Sequence, residues 1–294
     1  MIRVAINGYG RIGRVAHRVI LESHSKEIDL VAINAGSSTD IKGWAYLLKY
    51  DTSYGPLDRN VKPQISNVKD SVGSLVIDDK EIPVFSQKDP SKLPWEELSV
   101  DVVIESTGAF RDEEGLKAHI SAGAGGVVLS APLKDGDVPT YIISVNSMDY
   151  KGENAISNAS CTTNCITPVA KIMMEAFGIE KAMMTTIHGY TSDQRLQDGG
   201  HKDLRRARAA ALNIIPTSTG AADAVAKAIP DLEGIFDGLA IRVPVPVGSL
   251  SDFTFVLKKN ATKEEINNAF RKAEKNPMYK GILETTEDPI VSSD

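Results

Sequence analysis

The chain of 294 residues carries two cysteines, Cys161 and Cys165, and five histidines. The cysteine spacing suits neither a disulfide framework nor a C-x-x-C zinc site, so a metal-free thiol is the chemistry to consider. Cys161 lies in Ser157-Asn158-Ala159-Ser160-Cys161-Thr162-Thr163-Asn164-Cys165, which joins a strand pattern to a long helical one. At a helix start, unsatisfied N–H groups and the positive end of the dipole favour thiolate over thiol, which activates the sulfur as a nucleophile. Cys165, one turn deeper, reads as a small buried hydrophobe. His17, His24 and His119 fall on or beside helical patterns of the first half and read as packed or solvated. His188 ends an apolar run, residues 183–187, and opens a long polar loop. A strand-end imidazole can face a thiol on a helix start, which makes His188 the candidate base.

Gly8-Tyr9-Gly10-Arg11-Ile12-Gly13 is the second stretch with a chemical meaning. It follows an apolar run and opens a helix, the context in which Gly-x-Gly-x-x-Gly receives a dinucleotide. The glycines permit a tight turn and close backbone approach, and the helix N-terminus faces a pyrophosphate. In such sites an acid at the end of the second strand binds the ribose 2′-hydroxyl. Here that strand ends at Asn34, and Ala35, Gly36, Ser37, Ser38 and Thr39 follow. With no acid to repel a 2′-phosphate, the sequence leans toward NADP, or toward either NADP or NAD. The alternative is that Asp40 swings in to take the acid's place.

The elements that must position these groups follow from periodicity. Residues 2–7, 29–34, 100–106, 126–130 and 140–144 read as strands, with helices at 11–23 and 113–122 between them. This alternation predicts βαβ units and a doubly wound parallel Rossmann sheet over residues 1–159, with near-continuous apolar strands such as Val102-Val103-Ile104. From residue 160 to 294 the pattern changes. A helix over 163–177 carries apolar Ile166, Val169, Met173 and Phe177, and strands are expected at 182–188, 239–245 and 251–257. This half reads as an α+β domain with a mostly antiparallel sheet. Residues 188–214 form a polar, basic stretch without periodicity, long enough to suggest a functional loop.

Composition bounds the setting. Hydrophobic residues make up 42% and charged ones 24%, enough apolar surface for an ordered globular chain. The formal net charge of −6 argues against general nucleic-acid or anionic-membrane binding. No stretch reaches the ~20 apolar residues of a membrane span, no export signal opens the chain, and two unpaired cysteines fit a reducing cytoplasm.

The string 157–165, together with Asn7-Gly8-Tyr9-Gly10-Arg11-Ile12-Gly13-Arg14, resembles phosphorylating glyceraldehyde-3-phosphate dehydrogenase. So do His188-Gly189-Tyr190-Thr191, Lys202-Asp203-Leu204-Arg205-Arg206-Ala207-Arg208, Pro216-Thr217-Ser218-Thr219-Gly220-Ala221-Ala222 and Arg242-Val243-Pro244-Val245-Pro246, in the family's order across essentially the whole chain. The resemblance implies that Cys161 attacks the aldehyde carbon and that His188 activates the thiol and takes the hydroxyl proton as hydride passes to the nicotinamide. Inorganic phosphate then converts the thioester to an acyl phosphate. It further implies that Arg242 lies near both phosphates, with Thr191 and Arg206 on the side of the glyceraldehyde 3-phosphate phosphate. Ser160, Thr162, Thr219 and Gly220 would surround the attacking phosphate. Arg11, Ile12, Thr107, Gly108 and Ser130 would line the dinucleotide, as would Lys88, which stands where an arginine is common. A homotetramer is expected by the same likeness. The rival reading of Arg205, Arg206 and Arg208 is a basic nucleic-acid patch, disfavoured in an acidic chain.

Three departures qualify the resemblance. Ala35 replaces the aspartate typical of NAD-using members, and Gly199-Gly200 stands where those members commonly have Leu-Pro. Both resemble NADP-tolerant relatives. The family also continues for a few tens of residues beyond the position of Asp294, with a last strand, an asparagine on the nicotinamide amide and a closing helix; the chain is therefore expected to be an incomplete one. Two alternatives are carried forward: the erythrose-4-phosphate dehydrogenase branch, whose thioester is released to water, and a non-catalytic cofactor-binding or scaffold fragment.

Overall fold

The computed structural model describes residues 1–294, which divide into two compact units: residues 1–140 with 151–159, and residues 141–150 with 160–294. In the first, strand β1 (Ile2–Asn7) leads into helix α1 (Arg11–Ser23), β2 (Ile28–Asn34) and α2 (Ile41–Lys49). A short hairpin, β3 (Tyr50–Asp51) and β4 (Gly55–Pro56), precedes β5 (Val61–Gln64), β6 (Ser71–Ile77) and β7 (Lys80–Phe85). Strand β8 (Val102–Glu105), α3 (Glu113–Ser121), β9 (Gly126–Leu129) and β10 (Ala155–Ser157) complete the unit. The main sheet has the order β10-β9-β8-β1-β2-β7-β6-β5. Its pairings are parallel from β10 to β7 and antiparallel over the β7-β6-β5 end.

Alternate residues of β1 serve opposite faces, as a sheet with a period of two requires. Val4 and Ile6 join a core with Leu30, Ile33, Leu48 and Leu75, whereas Ala5 joins Ala32, Val103, Trp95 and Leu116 of α3. Both faces are covered, which explains the unbroken apolar strands. The strand expected at 140–144 is not formed. Thr140 makes a single bridge to Ser157, and the chain then turns, with Val145 and Asn146 amides donating to the Ile142 carbonyl and Ser144 at φ 69°. Its place at the sheet edge is taken by β10.

The same turn accounts for the division of the chain. Val145 packs against the second unit's core, and its carbonyl accepts from Lys171 Nζ at 2.6 Å. Residues 141–150 thus belong with the second unit rather than with the 1–159 expected from sequence.

The second unit is built from α4 (Cys161–Phe177), β11 (Ile179–Gly189), β12 (Ile215–Thr217), α5 (Ala221–Ala228), β13 (Phe236–Val243), β14 (Ser249–Leu257) and α6 (Lys263–Glu274). The order is β12-β13-β11-β14, antiparallel at both outer pairings and parallel between β11 and β13. On the inner face Ile166, Ala170 and Met173 of α4 pack with Ala182 and Met184 of β11 and with Ala221, Ala222 and Val225 of α5. The opposite face leaves Met183, Leu239, Leu250 and Val256 exposed. Residues 190–209 form an irregular loop, as expected, closed on itself by backbone bonds from Arg195 to Arg206 and from Gly199 to Ala207.

Candidate active site

Helix α4 begins at Cys161, two residues earlier than the apolar periodicity alone indicated. Ser160 is its N-cap: the hydroxyl oxygen accepts from Thr163 N at 3.1 Å, so the sulfur stands on the first residue of a 17-residue helix. β11 ends next to it. His188 Nε2 lies 3.3 Å from Cys161 Sγ, which brings together the two groups singled out at a helix start and a strand end. The hydrogen bond to His188 holds the Cys161 thiol below its ordinary value, against partial burial that acts the other way. The same bond raises His188, with burial and the Arg242 charge opposing. Thiolate and imidazolium therefore stabilise each other.

Arg242 arrives on β13 as the parallel register partner of His188. Its Nη1 lies 2.5 Å from His188 Nδ1 and donates to the Gly189 carbonyl at 3.1 Å, a carbonyl that also lies 2.7 Å from Nδ1. An arginine can only donate. When Nδ1 carries a proton, Gly189 is its acceptor; when Nδ1 is bare, Arg242 can serve it, leaving the Nε2 proton toward the sulfur. Arg242 Nε is buried with no partner, a donor directed at an acceptor the chain does not supply. Such an orphan suits an anion. Cys165 differs from expectation: it is exposed, not buried, and its thiol is held above the ordinary range by local desolvation.

In the first unit the glycines divide their roles by geometry. Gly8 has φ +94°, and a Cβ there would lie 2.5 Å from Thr107 N; a Cβ on Gly13 would lie 2.1 Å from the Gly8 carbonyl oxygen. Those two permit the turn and the close approach of helix to strand. A Cβ on Gly10 would meet nothing within 4 Å, so the space over the α1 N-terminus is open. This cradle fits a pyrophosphate. Arg11 pairs with Asp51, and Ile12 is exposed. Thr107, Gly108 (φ +72°) and Ser130 follow the ends of β8 and β9, with the Ser130 hydroxyl donating to the Glu105 carbonyl at 3.0 Å. Lys88 is exposed beyond β7. Ala35 follows β2 with no acid at the strand end. Asp40, the alternative acid, caps α2: its Oδ1 accepts from Gly43 N at 2.8 Å.

Residues 2–113 match the family model "Glyceraldehyde 3-phosphate dehydrogenase, NAD binding domain", and residues 160–294 match the C-terminal domain of the same family. Glyceraldehyde-3-phosphate dehydrogenase of Borreliella burgdorferi is 50% identical over 300 residues, covering 100% of this chain and 86% of the relative. That of Streptomyces coelicolor is 51% identical, covering 100% and 84%. The chloroplastic A form of Chlamydomonas reinhardtii is 49% identical, covering 100% and 76%. The chain belongs to the glyceraldehyde-3-phosphate dehydrogenase family.

The residues that the family likeness marks for phosphate are all in the second unit. Arg206 donates to Asp193 at 2.6 Å and to the Thr217 hydroxyl, and its charge is felt at Arg242. The Thr191 amide donates to Gln194 at 3.2 Å. Ser160 and Thr162 flank the sulfur, and the Thr162 amide and hydroxyl favour the thiolate. Thr219 and Gly220 precede α5, where the Thr219 hydroxyl accepts from Ala221 N. Within the basic loop Asp193 holds Arg206 and Asp198 holds Arg208. Sequence reasoning missed Asp193, Asp198 and Asp203 as partners of these arginines, and it missed a buried carboxylate, Glu105, at the end of β8. The signal for Glu105 was present as a lone acid closing an apolar strand.

Proposed function

We propose that this chain oxidises glyceraldehyde 3-phosphate to an acyl phosphate with inorganic phosphate and a nicotinamide dinucleotide. What supports the reading above all is the 3.3 Å contact between Cys161 Sγ and His188 Nε2. The thiolate adds to the aldehyde carbon, and imidazolium gives its proton to the new alkoxide. The neutral imidazole then takes the hydroxyl proton back as the carbon–hydrogen bond breaks, leaving a thioester on Cys161. The dinucleotide, when bound, accepts the hydride. Phosphate attacks the thioester carbonyl and expels the thiolate, which the protonated His188 stabilises as leaving group. Arg206 and Thr191 would hold the substrate phosphate, Ser160, Thr162, Thr219 and Gly220 the attacking one, with Arg242 near both. Gly8, Gly10, Arg11, Ile12, Gly13, Thr107, Gly108, Ser130 and Lys88 would receive the dinucleotide.

The absence of an acid after β2 and the capping engagement of Asp40 support use of NADP as well as NAD. A thiolate nucleophile works in a reducing compartment, which supports a cytoplasmic setting; no helix is long and apolar enough to cross a membrane. A homotetramer would cover the apolar outer face of the second unit's sheet. The deciding experiment follows nicotinamide reduction with glyceraldehyde 3-phosphate, with and without phosphate. Strict phosphate dependence is expected; phosphate-independent oxidation of erythrose 4-phosphate would favour the hydrolytic branch, and no turnover with prompt dinucleotide binding would favour a scaffold.

A further inference from the structure

Asn7, Asn34 and Glu105 are register partners, the last residues of the adjacent strands β1, β2 and β8, and all three are buried. A buried carboxylate is costly unless its oxygens are fully bonded. Those of Glu105 are. Oε2 accepts from the Asn7 amide at 2.5 Å and from His119 Nε2 at 3.1 Å; Oε1 accepts from the Thr107 backbone N–H at 2.7 Å and the Thr107 hydroxyl at 2.5 Å. The direction of each bond is set from outside. Trp95 Nε1 can only donate, and it donates to His119 Nδ1 at 3.0 Å, so the imidazole proton sits on Nε2 and faces the carboxylate. Asn34 Nδ2 donates to Asn7 Oδ1 at 2.6 Å, which turns the Asn7 amide nitrogen toward Glu105.

We propose that Glu105 is the positioning residue for the dinucleotide, its carboxylate tying the Gly8 turn, through Asn7, to the Thr107–Gly108 turn as one rigid rim. The inference rests on the dinucleotide reading above. The two turns touch, since the missing Gly8 Cβ would fall 2.5 Å from Thr107 N. Each contains a glycine at positive φ, Gly8 or Gly108, and Glu105, fully buried at the end of β8, holds the residue beside each one. A rim held before binding spares the ordering cost at the moment of binding.

Glu105→Gln keeps the shape and removes one acceptor. Either orientation of the new amide sets its NH2 group against fixed donors: Asn7 and His119 on one side, Thr107 on the other. The Kd for NAD or NADP, measured by calorimetry, is expected to rise by about tenfold or more, the scale of an unmatched buried donor. Trp95→Phe frees His119 to move its proton to Nδ1, so that in the double variant Nε2 can accept from the amide nitrogen introduced at position 105. Trp95→Phe with Glu105→Gln is therefore expected to recover part of the lost affinity, an outcome that general loss of packing cannot produce. A lowered melting temperature with an unchanged Kd would overturn the proposal while leaving the dinucleotide reading intact; wild-type protein that binds neither dinucleotide would overturn both. Should Glu105→Gln fail to fold, Glu105→Asp decides: the shorter carboxylate cannot reach Asn7 and Thr107 together, so a Kd raised about two- to threefold or more supports the tie and an unchanged Kd refutes it.

Discussion

At the residue scale, the sulfur and the imidazole are a matched pair, and the sign of each shift sets the pH behaviour. Cys161 is lowered, so thiolate persists below the ordinary thiol range and is lost only when pH falls through the depressed value. His188 is raised, so its charge is kept to higher pH than a free imidazole allows. Alkylation of Cys161 by iodoacetamide is expected to inflect below the ~8.5 of a free thiol. His188→Asn should move that inflection upward, slow labelling at neutral pH by about tenfold, and cut kcat by about 10²-fold or more; an unshifted labelling profile would separate the two groups chemically. Cofactor choice is a second residue-scale matter. Ala35→Asp is expected to shift the kcat/KM ratio toward NAD, because a carboxylate beside the ribose accepts from a 2′-hydroxyl and repels a 2′-phosphate. Steady-state kinetics with both dinucleotides checks it. The pairing of Cys161 with His188 was legible because helix starts and strand ends leave signatures in sequence. The bonds that reach Nδ1 from Gly189 and Arg242 were not, because they depend on the register of β11 against β13, which no local pattern encodes.

At the element scale, the first βα turn separates glycine's two uses. Gly13→Ala drives a methyl group onto the Gly8 carbonyl, so a lowered melting temperature and lost dinucleotide affinity should come together. Gly10 has φ −70°, which alanine adopts freely, and its neighbourhood is open. Gly10→Ala is expected to change stability by no more than about 0.5 kcal/mol while weakening dinucleotide binding, since its methyl group meets only the ligand's space. Thermal melts beside calorimetry distinguish the two. The cap of α4 offers a companion test. Ser160→Ala removes the acceptor of the Thr163 amide, and unfolding experiments should show a loss of about 1 kcal/mol. Parallel strands β1, β2, β8 and β9 were readable as apolar runs, but β7 and β10 were not; β10 is short, Ala155–Ser157, and forms an edge only because residues 141–146 turn away.

Over the whole molecule, the outer sheet face of the second unit carries Met183, Leu239, Leu250 and Val256 in the open, each more than two-fifths exposed. Side chains of that size gather where a partner covers them. Sedimentation velocity is expected to give a tetramer of identical chains, and the double substitution Leu239→Asp with Val256→Asp should shift it to smaller species without unfolding the monomer. Parts of β11, β13 and β14 were visible in sequence as strands, yet which face met the core was not. Both faces carry apolar residues, and only the packing of α4 and α5 chooses between them.

The assignment of residues 141–150 to the second unit means that the backbone passes between the units at 140/141, 150/151 and 159/160. Chimeras with a relative are constrained accordingly. A single crossover at 159/160 would join the first parent's Val145 and its neighbours to the other parent's Lys171, mixing two lineages within one core. Grafts that carry 141–150 together with 160–294 keep that core from one ancestor, and they are the exchanges expected to yield folded hybrids.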